Sequence, residues 1–165
     1  MKVLDVAAAR QKAYRLLSLR AHSEKELEVK LRDRGFSPDV VKEALEKLRD
    51  LKYLNDASFA VQWARNCAVN KLQGNRKITI SLKEKGVASQ LIDDAIAVAR
   101  LEFSEEEAIA VLIKKKMAGK KAAIMDIKAK QRIYQSLMGR GFPPGLILNK
   151  IGKPAEEELN DEDGQ

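Results

Sequence analysis

Apolar positions along this chain repeat around a small set of glycines. LRDRGF at 31–36 returns as LKEKGV at 82–87 and as LMGRGF at 137–142. Aligned on Gly35, Gly86 and Gly141, a leucine stands four residues earlier (Leu31, Leu82, Leu137), and Leu27, Ile78 and Ile133 stand eight earlier. After the glycine come Val40–Val41, Leu91–Ile92 and Leu146–Ile147, and then Leu45, Ile96 and Ile151. Such spacing on either side of a break predicts an amphipathic helix, a turn and a second amphipathic helix. The glycine falls where the first helix needs a left-handed residue at its C-terminal cap. The base before it (Arg34, Lys85 or Arg140) lies in a last turn, where the helix dipole favours positive charge. Phe36, Val87 and Phe142 follow, placed to staple onto Val41, Ile92 and Ile147. A further apolar helix precedes each pair, marked by Leu16–Leu17, by Phe59 and Trp63, and by Ile109, Leu112 and Ile113. A period of about fifty residues thus predicts three three-helix units in tandem, since one alone would bury too little.

Helix punctuation agrees with this period. Ser23 with Glu26, and Ser104 with Glu107, have capping-box spacing. Ser37–Pro38 reads as an N-cap followed by proline at the first helical position. Asn55 can cap the next helix, with Leu54 and Phe59 as its hydrophobic staple, and Asn75 after Gly74 opens another. The predicted helices are 5–20, 23–34, 38–50, 56–70, 75–85, 89–101, 104–117, 121–139 and 144–152, and no segment shows sustained strand alternation. The expected fold is all-α: three tandem three-helix repeats forming an elongated, curved helical array. The repeats are expected at 1–54, 55–103 and 104–153. The third departs from the others, with the long connection KKKMAGKKAAIMD at 114–126 and Pro143 at the N-cap position of its last helix.

Charge adds to the picture. The chain holds 31 Lys and Arg against 24 Asp and Glu, a formal +7. The segment PAEEELNDEDGQ (154–165) carries only acids, so the body before it is far more basic than the total suggests. That segment is expected to be disordered, or to fold back over the basic body and weaken its binding of polyanions. A basic body attracts nucleic acid or an acidic protein face. No apolar run approaches the roughly 20 residues that span a bilayer. The start MKVLDVAAAR lacks the pattern of a secretory signal, and one cysteine excludes an intramolecular disulfide. A cytoplasmic protein is expected.

Catalytic patterns are not found. His22 and Cys67 are single residues of their kind, read as helix-flanking and as buried packing. No ligand spacing suits a metal and no glycine-rich loop suits a phosphate, so no cofactor is expected. Asp93–Asp94 and Glu105–Glu106–Glu107 read as helix-surface and cap carboxylates. Phe59 and Trp63, four apart, read as a core stripe; Tyr53 stays open between packing and base stacking. Lys114–Lys115–Lys116 and Lys120–Lys121 are the densest basic runs, either a solvated face or a contact to phosphate or an acidic partner.

Taken in order, AHSEKELEVKL, KYLNDASFA with Trp63–Ala64–Arg65, GNRKITISLKEKGV and RIYQSLMGRGF resemble the RecX family of recombination regulators, over about residues 8–152. The resemblance implies a non-enzymatic protein of tandem three-helix repeats that binds the RecA recombinase and its filament on single-stranded DNA. It also implies inhibition of RecA ATPase, strand exchange and co-protease activity in recombination and the DNA-damage response, together with direct DNA binding. The family's loop before the middle repeat carries an aromatic between two glycines; here it reads NKLQGNR, with Lys71 and Gly74 and no ring. Arg76, Lys77, Lys83 and Lys85 are the first binding candidates, with Arg32, Arg34, Arg132 and Arg140 as their analogues and Lys114, Lys115 and Lys116 beside them. A monomer is expected. The alternatives are a nucleic-acid-binding helical module without RecA specificity and a helical scaffold for another protein.

Overall fold

The computed structural model describes residues 4–118 and 126–152, and all regular structure among them is helical. Repeat 1 contains α1 (Val6–Leu19), α2 (Glu24–Arg32) and α3 (Pro38–Asp50). Repeat 2 contains α4 (Asp56–Arg65), a π-helical turn (Asn66–Asn70), α5 (Asn75–Glu84) and α6 (Ser89–Glu102). Repeat 3 contains α7 (Glu105–Met117), α8 (Ile127–Gly139) and α9 (Pro144–Ile151). The caps form as the residue types dictate. Ser23 and Ser104 close complete capping boxes with Glu26 and Glu107, while the Ser37 and Asn55 side chains accept from the backbone N–H of Val40 and Ser58. Each satisfied cap is worth about 1 kcal/mol.

The aligned apolar positions are the core. Leu27 and Leu31, Ile78 and Leu82, and Leu137 are fully buried, with Ile133 nearly so, in three separate clusters, one per repeat. Burying each such side chain contributes roughly 2 kcal/mol. In repeat 2 the facing residues of α4 and α6 are small: Ala60, Ala64, Ala95 and Ala99 have no exposed surface. They let the two helices pack closely. Gly35, Gly86 and Gly141 have φ of 89°, 74° and 88°, the left-handed turn expected between the second and third helix of each repeat.

Three elements differ from the sequence expectation. The helix foreseen over 56–70 leaves α geometry at Asn66, and the Lys71 N–H reaches the Asn66 carbonyl at 3.1 Å, one residue further back than in an α-helix. A single wide turn leaves no mark on apolar periodicity. The helix foreseen over 121–139 opens at Ile127, because Asp126 caps it by accepting from Ala129 N–H at 2.6 Å; residues 119–125 lie outside the described residues. Leu54 and Phe59, read as one staple, belong to two cores, Leu54 to repeat 1 and Phe59 to repeat 2.

Candidate partner and nucleic-acid interface

Helix α5 carries an exposed cluster of the foreseen cations. Ile78 and Leu82 turn into the core, so Arg76, Ile80 and Lys83, at i, i+4 and i+7, share the opposite, solvent-facing side. Ile80 is 50% exposed between the two cations. Beside this stripe lies a cleft of about 400 Å³ lined by Arg76, Lys77, Ile80, Met138, Gly139 and Gly141. The Lys77 ammonium lies 3.4 Å from the Gly139 carbonyl, and among the described residues neither Arg76 nor Lys83 has a carboxylate partner. Unpaired cations around an exposed apolar side chain suit phosphates or an acidic protein surface. Ile80 escaped the sequence reading; its mark is an apolar residue out of phase with Ile78 and Leu82.

The cleft spans the joint between repeats 2 and 3, where main chain meets main chain. Gly74, the N-cap of α5, donates its N–H to the Arg140 carbonyl at 2.8 Å. A Cβ at Gly74 would collide with the Gly141 carbonyl group and the Phe142 nitrogen, and one at Gly141 would lie 2.5 Å from the Lys77 nitrogen. Leu72 takes a left-handed φ of 50° and packs into the core of repeat 3. Arg100, on α6, gathers the linker: its guanidinium donates to the Gln73 carbonyl (2.7 Å), Asn75 Oδ1 (2.7 Å) and the Phe103 carbonyl (3.1 Å). Burial pushes the Arg100 pKa down, opposed by the nearby charges of Glu105 and Glu106. Glu105 in turn accepts from the Asn75 N–H at 2.8 Å. Arg100 therefore positions the start of α5 and the cations on it, a role that a base in the last turn of a helix does not announce.

The joint between repeats 1 and 2 relies more on side chains. The Ser23 hydroxyl donates to the Lys85 carbonyl at 2.6 Å, and the Glu24 N–H donates to Asp56 Oδ1 at 2.9 Å. Glu26 holds Lys85 Nζ at 2.7 Å and Arg20 at 3.1 Å. Burial works to raise the Glu26 pKa, but hydrogen bonds from Arg20, Lys85 and the Ser23 backbone prevail and lower it to about 2. Burial raises the Asp56 pKa. Lys85 Nζ also lies 4.1 Å above the centre of the Trp63 ring, while Trp63 Nε1 donates to Ser81 Oγ at 2.6 Å and the ring stacks on Phe59.

These contacts involve two of the foreseen binding residues. Lys85 and Arg140 are engaged within the joints: Lys85 pairs with Glu26, and the Arg140 side chain donates to the Lys71 carbonyl at 2.9 Å. Their appearance in the sequence as helix-end cations says nothing of acceptors some sixty residues away. Arg32 is exposed with a long contact of 4.0 Å to Glu28; Arg34, Arg132, Lys114, Lys115 and Lys116 are exposed. The structure thus brings together Arg76, Lys77 and Lys83 on α5 and Lys114, Lys115 and Lys116 at the end of α7, with Arg32, Arg34 and Arg132 apart from both. His22 is buried, its Nδ1 2.9 Å from the Arg20 carbonyl, and desolvation lowers its pKa. Cys67 is buried and burial raises its thiol pKa, whereas Tyr53 is exposed and meets Tyr14 edge-on. Lys120, Lys121 and the acidic segment at 154–165 lie outside the described residues. Among those described, no cluster of His, Cys, Asp and Glu could hold a metal ion, and no helix is long and apolar enough to cross a membrane.

Three helical repeats joined end to end define an all-α helical-repeat protein. Comparison with known families agrees. Residues 9–48, 55–96 and 104–151 match the first, second and third three-helix domains of RecX, and the chain belongs to the RecX family. It is 31% identical to the regulatory protein RecX of Corynebacterium efficiens, over 94% of this chain and 75% of that protein. With the regulatory protein RecX of Mycolicibacterium smegmatis it shares 30% identity, over 87% of this chain and 77% of that one. The crystal structure of RecX from Lactobacillus salivarius superposes with a TM-score of 0.72 over 89% of this chain and 96% of that one, at 23% identity, a likeness of fold.

Proposed function

We propose that this chain binds RecA and its filament on single-stranded DNA and inhibits RecA ATPase, strand exchange and co-protease activity, acting as a monomer in the cytoplasm without catalysis of its own. The observation that carries the reading is the α5 face, where Arg76 and Lys83 flank exposed Ile80 without acidic partners. Family membership supplies the regulatory role. An array of repeats can follow a filament groove and touch neighbouring protomers, holding the filament in a state unable to cycle ATP. Lys114, Lys115, Lys116 and Arg132 add positive charge along repeat 3, which favours DNA in the same groove.

The test is RecA's DNA-dependent ATP hydrolysis, with this protein titrated onto preformed filaments at saturating single-stranded DNA. Inhibition is expected well below one molecule per RecA protomer, and the double variant Arg76→Glu, Lys77→Glu is expected to lose at least tenfold in potency while staying folded. Full inhibition by that variant would dismiss the α5 face. The second reading, a nucleic-acid module without RecA specificity, rests on the same unpaired cations. It predicts affinity for DNA falling by roughly 0.7 to 0.9 log units per contacted phosphate for each log unit of salt, and no inhibition once DNA is in excess.

A further inference from the structure

The two joints obey one rule. In each, the base before the loop glycine of the later repeat gives its carbonyl to the N-cap of the earlier repeat's second helix. Lys85 accepts from Ser23, and Arg140 accepts from Gly74. In each, the side chain of that base reaches an acceptor on the earlier repeat, Glu26 for Lys85 and the Lys71 carbonyl for Arg140. In each, the loop glycine lies against the first turn of that helix, Gly86 on Lys25 and Gly141 on Lys77.

Repeat 1 carries the same loop: Arg34, then Gly35 with φ 89°, then buried Phe36. Among the described residues no N-cap meets the Arg34 carbonyl and no acceptor meets its guanidinium. Where Lys25 and Lys77 press on the other two glycines, among the described residues Gly35 meets only Leu4 Cδ1, 3.6 Å from an added Cβ. Over this loop opens a cavity of about 300 Å³ lined by Leu4, Ala8, Gln11, Arg15, Arg34 and Phe36, among others.

We propose that this face of repeat 1 is a docking site for the first turn of a helix in another protein, one with a hydrogen-bond donor at its N-cap and a glutamate three residues on. The occupant is deduced from the joint between repeats 1 and 2, in which Ser23 and Glu26 satisfy Lys85; the other joint, with the same Arg–Gly–Phe loop as repeat 1, also brings an N-cap donor to the carbonyl but meets its arginine with a main-chain carbonyl. Arg15 and Arg34 together favour the carboxylate. A second copy of this chain is a poorer occupant. In the second helix of repeat 3, capped by Asp126, Ala129 stands where the glutamate is needed. The inference is independent of the α5 face and of RecA.

The probe is a lactam-constrained peptide of residues 22–34 of this chain, which presents Ser23 and Glu26 at a helix start. It is titrated into the isotope-labelled full chain and followed by NMR at Arg34 Nε and the Phe36 ring. Saturable shifts at those groups are expected. Affinity should fall at least tenfold with Arg34→Glu in the protein, or with Glu26→Gln in the peptide, and stay unchanged with Lys83→Glu in the protein. Absence of saturable shifts up to about 1 mM, which is weak for even a small specific contact, would overturn the proposal. So would shifts centred on Lys85 and Gly86, or equal affinity for the glutamine peptide. Sedimentation velocity adds an independent arm: concentration-dependent dimers abolished by Arg34→Glu would assign the face to a second copy instead.

Discussion

Between repeats 1 and 2 the distinctive contacts are an alcohol, an ion pair and a carboxylate; between repeats 2 and 3 they are two glycines laid main chain to main chain and clasped by Arg100. The topology of contact is the same and the chemistry is not. A side-chain joint tolerates small shifts and responds to pH and salt, because its strength rests on charge. A joint closed by main chain rests less on charge, but it has no room for a single added carbon. A repeat protein can thus keep one docking geometry while giving its two hinges different sensitivities.

The largest effect is expected at the backbone joint. Gly141→Ala adds a Cβ 2.5 Å from the Lys77 nitrogen in a left-handed conformation, so chemical denaturation should show a loss of about 3–5 kcal/mol. Gly86→Ala presses on the Lys25 side chain instead and should cost less, about 2–3 kcal/mol. If the two cost the same, the distinction between the joints fails.

Arg100→Ala leaves the Gln73 and Phe103 carbonyls and Asn75 Oδ1 without their donor. A loss of about 2–3 kcal/mol is expected, with parallel loss of the proposed RecA inhibition because the start of α5 is no longer held. Inhibition retained at full strength in a folded Arg100→Ala variant would show that the α5 cations need no such positioning.

Glu26→Gln sharpens the contrast by pH. The folded-state pKa of about 2 lies below the ordinary 4.5, so the stabilisation by Glu26 is full above pH 4.5 and fades as pH falls from there toward 2. Asp56, raised by burial, works in the opposite direction and partly offsets it. The variant should lose on the order of 2 kcal/mol near neutral pH, and the difference from the parent should shrink in acid, read by denaturation at a series of pH values. A difference that is constant with pH would remove Glu26 as the charged element of the joint.

The smallest effect belongs to Gly35→Ala. Among the described residues its added Cβ meets only Leu4, at an ordinary 3.6 Å, so the left-handed φ should cost about 1 kcal/mol.

What could be read in the sequence is what is decided within a few residues. Ser23, Ser37, Asn55 and Ser104 announce their helices because a cap acts on its own next turn, and Leu31, Leu82 and Leu137 announce the core because periodicity is local. The joints are decided between residues about sixty apart. Gly74 reads as a helix start, and nothing near it tells that Gly141 lies against it. Lys85 and Arg140 read as surface cations because charge is visible in a sequence and a distant acceptor is not. Arg76, Lys77 and Lys83 kept their exposed places, yet Ile80 between them was missed, since an exposed isoleucine looks like any core isoleucine until its neighbours are known.

Trp63 is the single tryptophan of the chain, and it lies under the Lys85 ammonium with its indole nitrogen bound to Ser81. Lys85 is also the cation that closes the joint to repeat 1 through Glu26. The protein therefore carries its own optical gauge of that hinge: intrinsic emission from one ring reports whether the ammonium is above it. Bending at the first joint registers as a change in colour or intensity with no label attached.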